Sequence, residues 1–156
     1  MRTNELAVIA EIKRRSPSRG ELADIPDVTK QAKSYLAGGA AAISVLTDKH
    51  AFAGSLDDLK MVSETLKSSA CAILRKDFII DACQIAEAIA YGADALLLIV
   101  AALKTETEKL LNRTKELGID ALVEVHDREE RVVFNSNRTS GISFKSAAEK
   151  TPIRLY

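Results

Sequence analysis

Tryptophan is absent from this chain, and aromatic residues of all kinds make up only 4% of it. Proteins that bind single-stranded nucleic acid stack bases on aromatic faces, so such a surface is not expected here. An excess of charge of either sign is also missing. Lysine plus arginine and aspartate plus glutamate number 22 each, which leaves no bulk field to draw the chain to a nucleic acid or an anionic membrane. Long apolar runs are lacking too. The longest, residues 93–103, is interrupted by Asp94 and falls short of the roughly 20 residues that span a bilayer. Residues 1–6 show no basic stretch leading into an apolar one, so no signal peptide is read and a cytoplasmic location is expected. The two cysteines, Cys71 and Cys83, have neither a metal nor a redox spacing and are expected to be buried, reduced thiols. His50 and His126 stand alone, with no Cys or His at ligand spacing, so no metal site is expected.

What is present is an ordinary globular composition, 47% apolar and 28% charged over 156 residues, enough for one domain with a sizeable core. Short apolar runs alternate with longer amphipathic ones. Strands are predicted at residues 6–12, 41–46, 71–74 (continuing into 75–78), 95–100 and 121–125. Helices are predicted at residues 27–36, with Val28, Ala32, Tyr35 and Leu36 on one face, and at 56–66, 81–91 and 105–117. Ser55 is placed to cap the second helix. Gly38-Gly39, Gly92 and Gly118 stop three of the helices. Asp127 is placed to cap a fifth helix from Arg128, and residues 141–144 read as a weak sixth strand. Gly92-Ala93-Asp94 and Gly118-Ile119-Asp120 repeat the same helix-to-strand junction. Helical crossovers imply parallel pairing. An open doubly wound sheet and a (β/α)8 barrel both fit this pattern.

The charged residues separate the two. Residues two apart on a strand share a face. Glu11 and Lys13 point together, as do Leu74, Lys76 and Phe78, and as do Leu122 and Glu124. Each charge lies at the carboxyl end of its strand, and the strands concerned are the first, third and fifth. In a barrel, alternate strands feed one interior layer and the site lies at that end. In an open sheet the same charges would face helices, where burial is costly. The fold class expected is therefore α/β, an incomplete (β/α)8 TIM barrel of five to six βα units, with residues 1–133 forming the partial barrel and 134–156 a degenerate tail. Glu11, Lys13, Lys76 and Glu124 are the candidate acid–base set. Ser16-Pro17-Ser18-Arg19-Gly20 reads as a loop whose hydroxyls and N–H groups suit an anion. Phe52, Gly54 and Ser55 form another loop, where Phe52 serves equally as a cover over an aromatic substrate or over the core.

Residues 8–18, Val-Ile-Ala-Glu-Ile-Lys-Arg-Arg-Ser-Pro-Ser, resemble the signature segment of indole-3-glycerol phosphate synthases. Val45-Leu46-Thr47-Asp48 with Phe52-Ala53-Gly54-Ser55, then Leu74-Arg75-Lys76-Asp77-Phe78, then Leu122-Val123-Glu124-Val125-His126, agree in order and spacing. The likeness runs from about Arg2 to about Glu130. It implies a lyase of tryptophan biosynthesis that closes the pyrrole ring of 1-(2-carboxyphenylamino)-1-deoxyribulose 5-phosphate with loss of carbon dioxide and water. In that likeness Lys76 is the general acid on the ketone oxygen. Glu124 is the base or proton relay of the dehydration, and Glu11 supports the proton transfers. Lys13, with Ser16 beside it, contacts the substrate's anionic groups, while Phe52 and Phe78 pack on its apolar parts. No metal or organic cofactor is implied, and the partner is this small phosphosugar–anthranilate molecule.

The chain also departs from that family. Only about seven residues precede the first strand, where the family has a helical extension. The phosphate-binding glycine loops after the seventh and eighth strands are absent, and complete barrels run to about 250 residues. Asn135-Ser136-Asn137-Arg138 is faintly similar to the sixth-strand motif but lies too near Glu124 to be given a role. The expectation is a truncated chain, weakly active or inactive alone, with open sheet edges that favour self-association. The second reading is a non-catalytic barrel fragment that assembles with itself or another chain.

Overall fold

A computed structural model describes residues 7–126 and, by backbone alone, the strand Ser143–Ser146. It divides into two compact units, Met1–Lys76 with Tyr91–Ala93 and Asp77–Ala90 with Asp94–Tyr156. The first contains, in order, β1 (Ile9–Ile12), β2 (Arg15–Ser16), β3 (Gly20–Glu21), α1 (Val28–Ala37), β4 (Ala42–Leu46), α2 (Lys49–Phe52), α3 (Leu56–Leu66) and β5 (Ala72–Lys76). Strands β1, β4 and β5 are parallel neighbours, with Glu11, Ser44 and Leu74 in one row and Ile12, Val45 and Arg75 in the next. Side-chain alternation then decides the faces. Ile12, Ile43, Val45 and Ile73 bury against Val28 and Ala32 of α1 and against Leu59, Val62 and Leu66 of α3. Glu11, Ser44, Leu74 and Lys76 are left on the opposite face.

Helix α1 begins where the Asp27 carboxylate accepts the amides of Thr29 and Lys30. The Thr29 hydroxyl, ahead of these amides, holds the Asp27 carboxyl below its usual range. A carboxyl whose folded pKa is depressed stabilises the fold above its unfolded value, near 3.9. That contribution is lost as pH falls through the folded value. The urea midpoint of Asp27→Ala is therefore expected to fall below that of the parent at about pH 6 and to converge on it by about pH 2. A gap that stays constant over that range would show that the ionised cap contributes nothing.

The second unit holds α4 (Ala82–Ala90), β6 (Ala95–Ile99), α5 (Val100–Leu103), α6 (Glu106–Leu117), β7 (Asp120–Val125) and β8 (Ser143–Ser146), with β6, β7 and β8 parallel in that order. Leu96, Leu97 and Leu98 are all buried, as strands covered on both faces require. Gly118, at φ 72°, turns the chain out of α6. The Asp120 amide then donates to the Asp94 carbonyl at 3.2 Å, so the two aspartates of the repeated junction are neighbours.

Several expectations are corrected. Residues 15–21 form a small antiparallel ladder, Arg15 opposite Glu21 and Ser16 opposite Gly20, because Gly20 takes φ +68° and closes the turn. Phe52 ends a helical turn, α2, started by the Asp48 carboxylate on the Ala51 amide; so short a turn carries no readable period. Strand β5 stops at Lys76, and Phe78 lies beyond it, its amide taken at 2.8 Å by the Asp77 carboxylate. Val100 opens α5 rather than closing a strand. Cys71 is buried, but Cys83 is exposed in the first turn of α4. The strand expected at 141–144 is found at Ser143–Ser146. The helix expected from Arg128, its cap at Asp127 and the boundary at 133/134 lie outside the described residues.

Candidate active site

Lys13 and Arg14 follow β1, which ends at Ile12, while Arg75 and Lys76 close β5, and in each pair the two side chains have opposite fates. Arg14 reaches helix α3. Its guanidinium holds the Asp58 carboxylate of α3 through two bonds, at 2.7 and 3.0 Å, and its Nε donates to the Ile25 carbonyl at 3.1 Å. Hydrogen bonding to Asp58 raises the Arg14 pKa further above its already high value. Arg75 shares the helix-side face of β5 with Ile73. It is buried, with Nε 3.2 Å from Thr47 Oγ1. Arg14 thus ties the segment after β1 to α3, and Arg75 ties β5 to the residue that follows β4.

Removing one partner from the Arg14–Asp58 pair leaves a poorly solvated charge. Asp58→Ala is expected to lower stability by about 2 kcal/mol, the partial exposure of Arg14 reducing what a fully buried pair would lose. Chemical denaturation checks this, and a loss under about 0.5 kcal/mol would rank the pair with ordinary surface ion pairs.

Lys13 and Lys76 turn the other way. Lys13 Nζ is ion-paired with Glu11 Oε1, and Lys76 Nζ lies 3.8 Å from Glu11 Oε2. One carboxylate on β1 is therefore flanked by two ammonium groups, one from the residue just past β1 and one from the end of β5. The three side chains are 26–32% exposed, open enough for a solute to reach them. The Glu11 backbone is held as well, because the Tyr35 hydroxyl of α1 donates to its carbonyl at 3.1 Å. Chemically, the cluster offers two cations for anionic groups, ammonium protons for a developing oxyanion, and a carboxylate to take up a proton.

Ser16 lies on β2 with its hydroxyl shielded from solvent and no hydrogen-bond partner among the described residues. Phe52 is half-buried at the end of α2. In the second unit, Glu124 on β7 is 17% exposed, and its Oε1 lies 3.1 Å from His126 Nε2. Phe78, also in that unit, is exposed. Sequence reasoning passed over two residues. Ser44 is buried in the row between Glu11 and Leu74, and its hydroxyl has no partner among the described residues. The signal for it is one polar residue in an otherwise apolar strand. His126 stands two residues after Glu124, and that same-face spacing was the available clue. Among the described residues, no cluster of three or more His, Cys, Asp and Glu is arranged to hold a metal ion, and no helix is long and apolar enough to cross a membrane.

The family model of indole-3-glycerol phosphate synthase matches residues 1–134. An indole-3-glycerol phosphate synthase of Nocardioides sp. is 56% identical over 125 residues, which cover 80% of this chain and 47% of the relative. One from Mycolicibacterium gilvum is 56% identical over 131 residues, covering 83% and 47%. The chain thus spans about half the length of the curated relatives it matches. Among solved structures, a dihydropteroate synthase from Xanthomonas albilineans in complex with 7,8-dihydropteroate superposes with a TM-score of 0.54 at 12% identity, covering 80% of this chain and 47% of that one. The 7,8-dihydropteroate synthase of Vibrio fischeri gives 0.53 at 17%, covering 80% and 46%. Identities this low speak for the fold alone, which is α/β and corresponds to part of a TIM barrel. On the family match and these identities, the chain belongs to the indole-3-glycerol phosphate synthase family.

Proposed function

We propose that this chain carries the acid–base chemistry of the ring closure that converts 1-(2-carboxyphenylamino)-1-deoxyribulose 5-phosphate to indole-3-glycerol phosphate. The observation that supports it most is the Glu11 carboxylate set between Lys13 and Lys76. Lys76 protonates the ketone oxygen as the aryl carbon bonds to the carbonyl carbon. Carbon dioxide then leaves that aryl carbon, and water leaves in the dehydration that Glu124 serves as base or relay. Glu11 supports these transfers. Lys13 and Ser16 receive the substrate's anionic groups, and Phe52 and Phe78 pack against its apolar parts. The enzyme is read as cytoplasmic, a lyase of tryptophan biosynthesis acting on a small phosphosugar without a cofactor, a nucleic-acid partner or a membrane.

Turnover can be followed by the fluorescence of the indole formed, against a chain that has no tryptophan of its own. Product is expected to appear from the chain itself, or from the chain completed by the C-terminal half of the Nocardioides relative. Failure of both would overturn the reading. A second reading, self-association, is favoured by β1, which among the described residues pairs only with β4 and leaves its other edge open. An open edge is a template for another strand. Size-exclusion chromatography separates the two readings, since an assembly module elutes as a defined oligomer and has no turnover.

A further inference from the structure

Phe78 and Ile80 are among the most exposed large apolar residues of the described chain, at 48% and 66%, yet Ile79 between them is buried. The segment that carries them is not loose. The Gln84 carboxamide of α4 makes three bonds to it. Its Oε1 accepts the amides of Ile80 at 2.8 Å and Asp81 at 3.0 Å, and its Nε2 donates to the Phe78 carbonyl at 3.1 Å. On either side, Asp77 accepts the Phe78 amide and Asp81 accepts the Cys83 amide, both at 2.8 Å.

Part of this is ordinary helix capping. A glutamine at the third helical position commonly reaches back to the amide of the cap residue, and the bond to Asp81 is that bond. The bonds to Ile80 and to the Phe78 carbonyl are additional and do nothing for the helix end. Their effect is to clamp the backbone of Phe78 with its ring outside. An apolar ring presented outward is stabilised by no burial of its own, and a backbone already ordered loses little entropy when a ligand covers the ring it carries.

We propose that Gln84 is a positioning residue that holds Phe78 as a fixed platform for the aryl ring of the substrate. This rests on the reading of Phe78 given above. Gln84 touches no reacting atom; it acts through the Phe78 backbone.

Gln84→Glu separates the clamp from the cap. A glutamate retains the acceptor for Asp81 and Ile80 but cannot donate to the Phe78 carbonyl, which its charge repels. Binding of 1-(2-carboxyphenylamino)-1-deoxyribulose 5-phosphate to the full chain, read from the fluorescence of its aryl group, is compared for the parent, Phe78→Ala, Gln84→Glu, Gln84→Ala and the double variant Phe78→Ala/Gln84→Ala. Phe78→Ala is expected to weaken binding roughly two- to tenfold, the range of a lost aromatic contact. Gln84→Glu should weaken it similarly while its thermal midpoint stays within about 3 °C of the parent. Gln84→Ala, which adds no charge, should match that loss in binding, and the double variant should bind no worse than Phe78→Ala alone. If Phe78→Ala weakens binding and either Gln84 variant does not, Gln84 is only a cap and the inference fails. If the losses multiply in the double variant, Gln84 does not act through Phe78, and the inference fails again. Unchanged binding by Phe78→Ala, or no binding by the parent, removes the functional reading of the ring and the platform with it.

Discussion

Gly54→Ala is expected to be the most damaging small substitution in this chain, lowering stability by about 3 kcal/mol or more and preventing the first unit from folding as it does here. Gly54 is buried, and a Cβ built on it would lie 2.0 Å from the Leu46 carbonyl oxygen and 2.6 Å from its carbon. Both are backbone atoms at the end of β4, so no side chain can rotate away. Leu46 is in register with Lys76, and the residue after Gly54 is Ser55, whose hydroxyl starts α3 by accepting the Asp58 amide. A displaced Gly54 would therefore disturb the row that carries Lys76 and the helix that carries the partner of Arg14. Urea denaturation with circular dichroism measures the loss, and a midpoint close to the parent's would show that the chain accommodates a Cβ at this position. Gly20 is a useful control. It adopts a positive φ but has open space around it, so Gly20→Ala should cost only about 1 kcal/mol of backbone strain.

Lys76→Met is expected to lower kcat by about a hundredfold or more, the usual contribution of a positioned general acid, while stability changes by less than about 1 kcal/mol. The stability term is small because Lys76 is partly exposed and its pairing to Glu11 is loose, at 3.8 Å. Lys13 remains to neutralise Glu11 when Lys76 is gone. Lys13→Met should behave differently. If Lys13 meets the substrate's anionic groups in ground and transition states alike, KM rises and kcat changes little. Steady-state kinetics of the two variants, on whichever form of the chain turns over, test the assignment. Equal effects on KM with kcat preserved in both would reduce Lys76 to a second anion contact and leave the proton donor unidentified.

Much of the site was legible because strand alternation is a local rule. Leu74 and Lys76 share a face of β5 as that rule requires, whereas Lys13 lies one residue past the end of β1 and meets Glu11 from there. The helix at Leu56–Leu66 and its cap at Ser55 were equally legible from period and cap chemistry. Phe78 was misread as a strand residue, since the alternate spacing of Leu74, Lys76 and Phe78 does not announce that Asp77 will take the next amide. Ser44 was missed because a lone serine in an apolar strand matters only once its row neighbour is known to be Glu11.

By itself, the order of residues determined which way each strand side chain faces, where most helices start and stop, and which family the chain matches, since all of these follow from spacings of a few residues. Only the tertiary structure decided that Lys76 reaches the carboxylate of Glu11, that Gly54 must pass against the Leu46 carbonyl, and that Gln84 clamps the backbone of Phe78. Those contacts depend on register between strands and on the path of the crossovers, which put particular atoms within ångströms of one another and are not encoded in any local period.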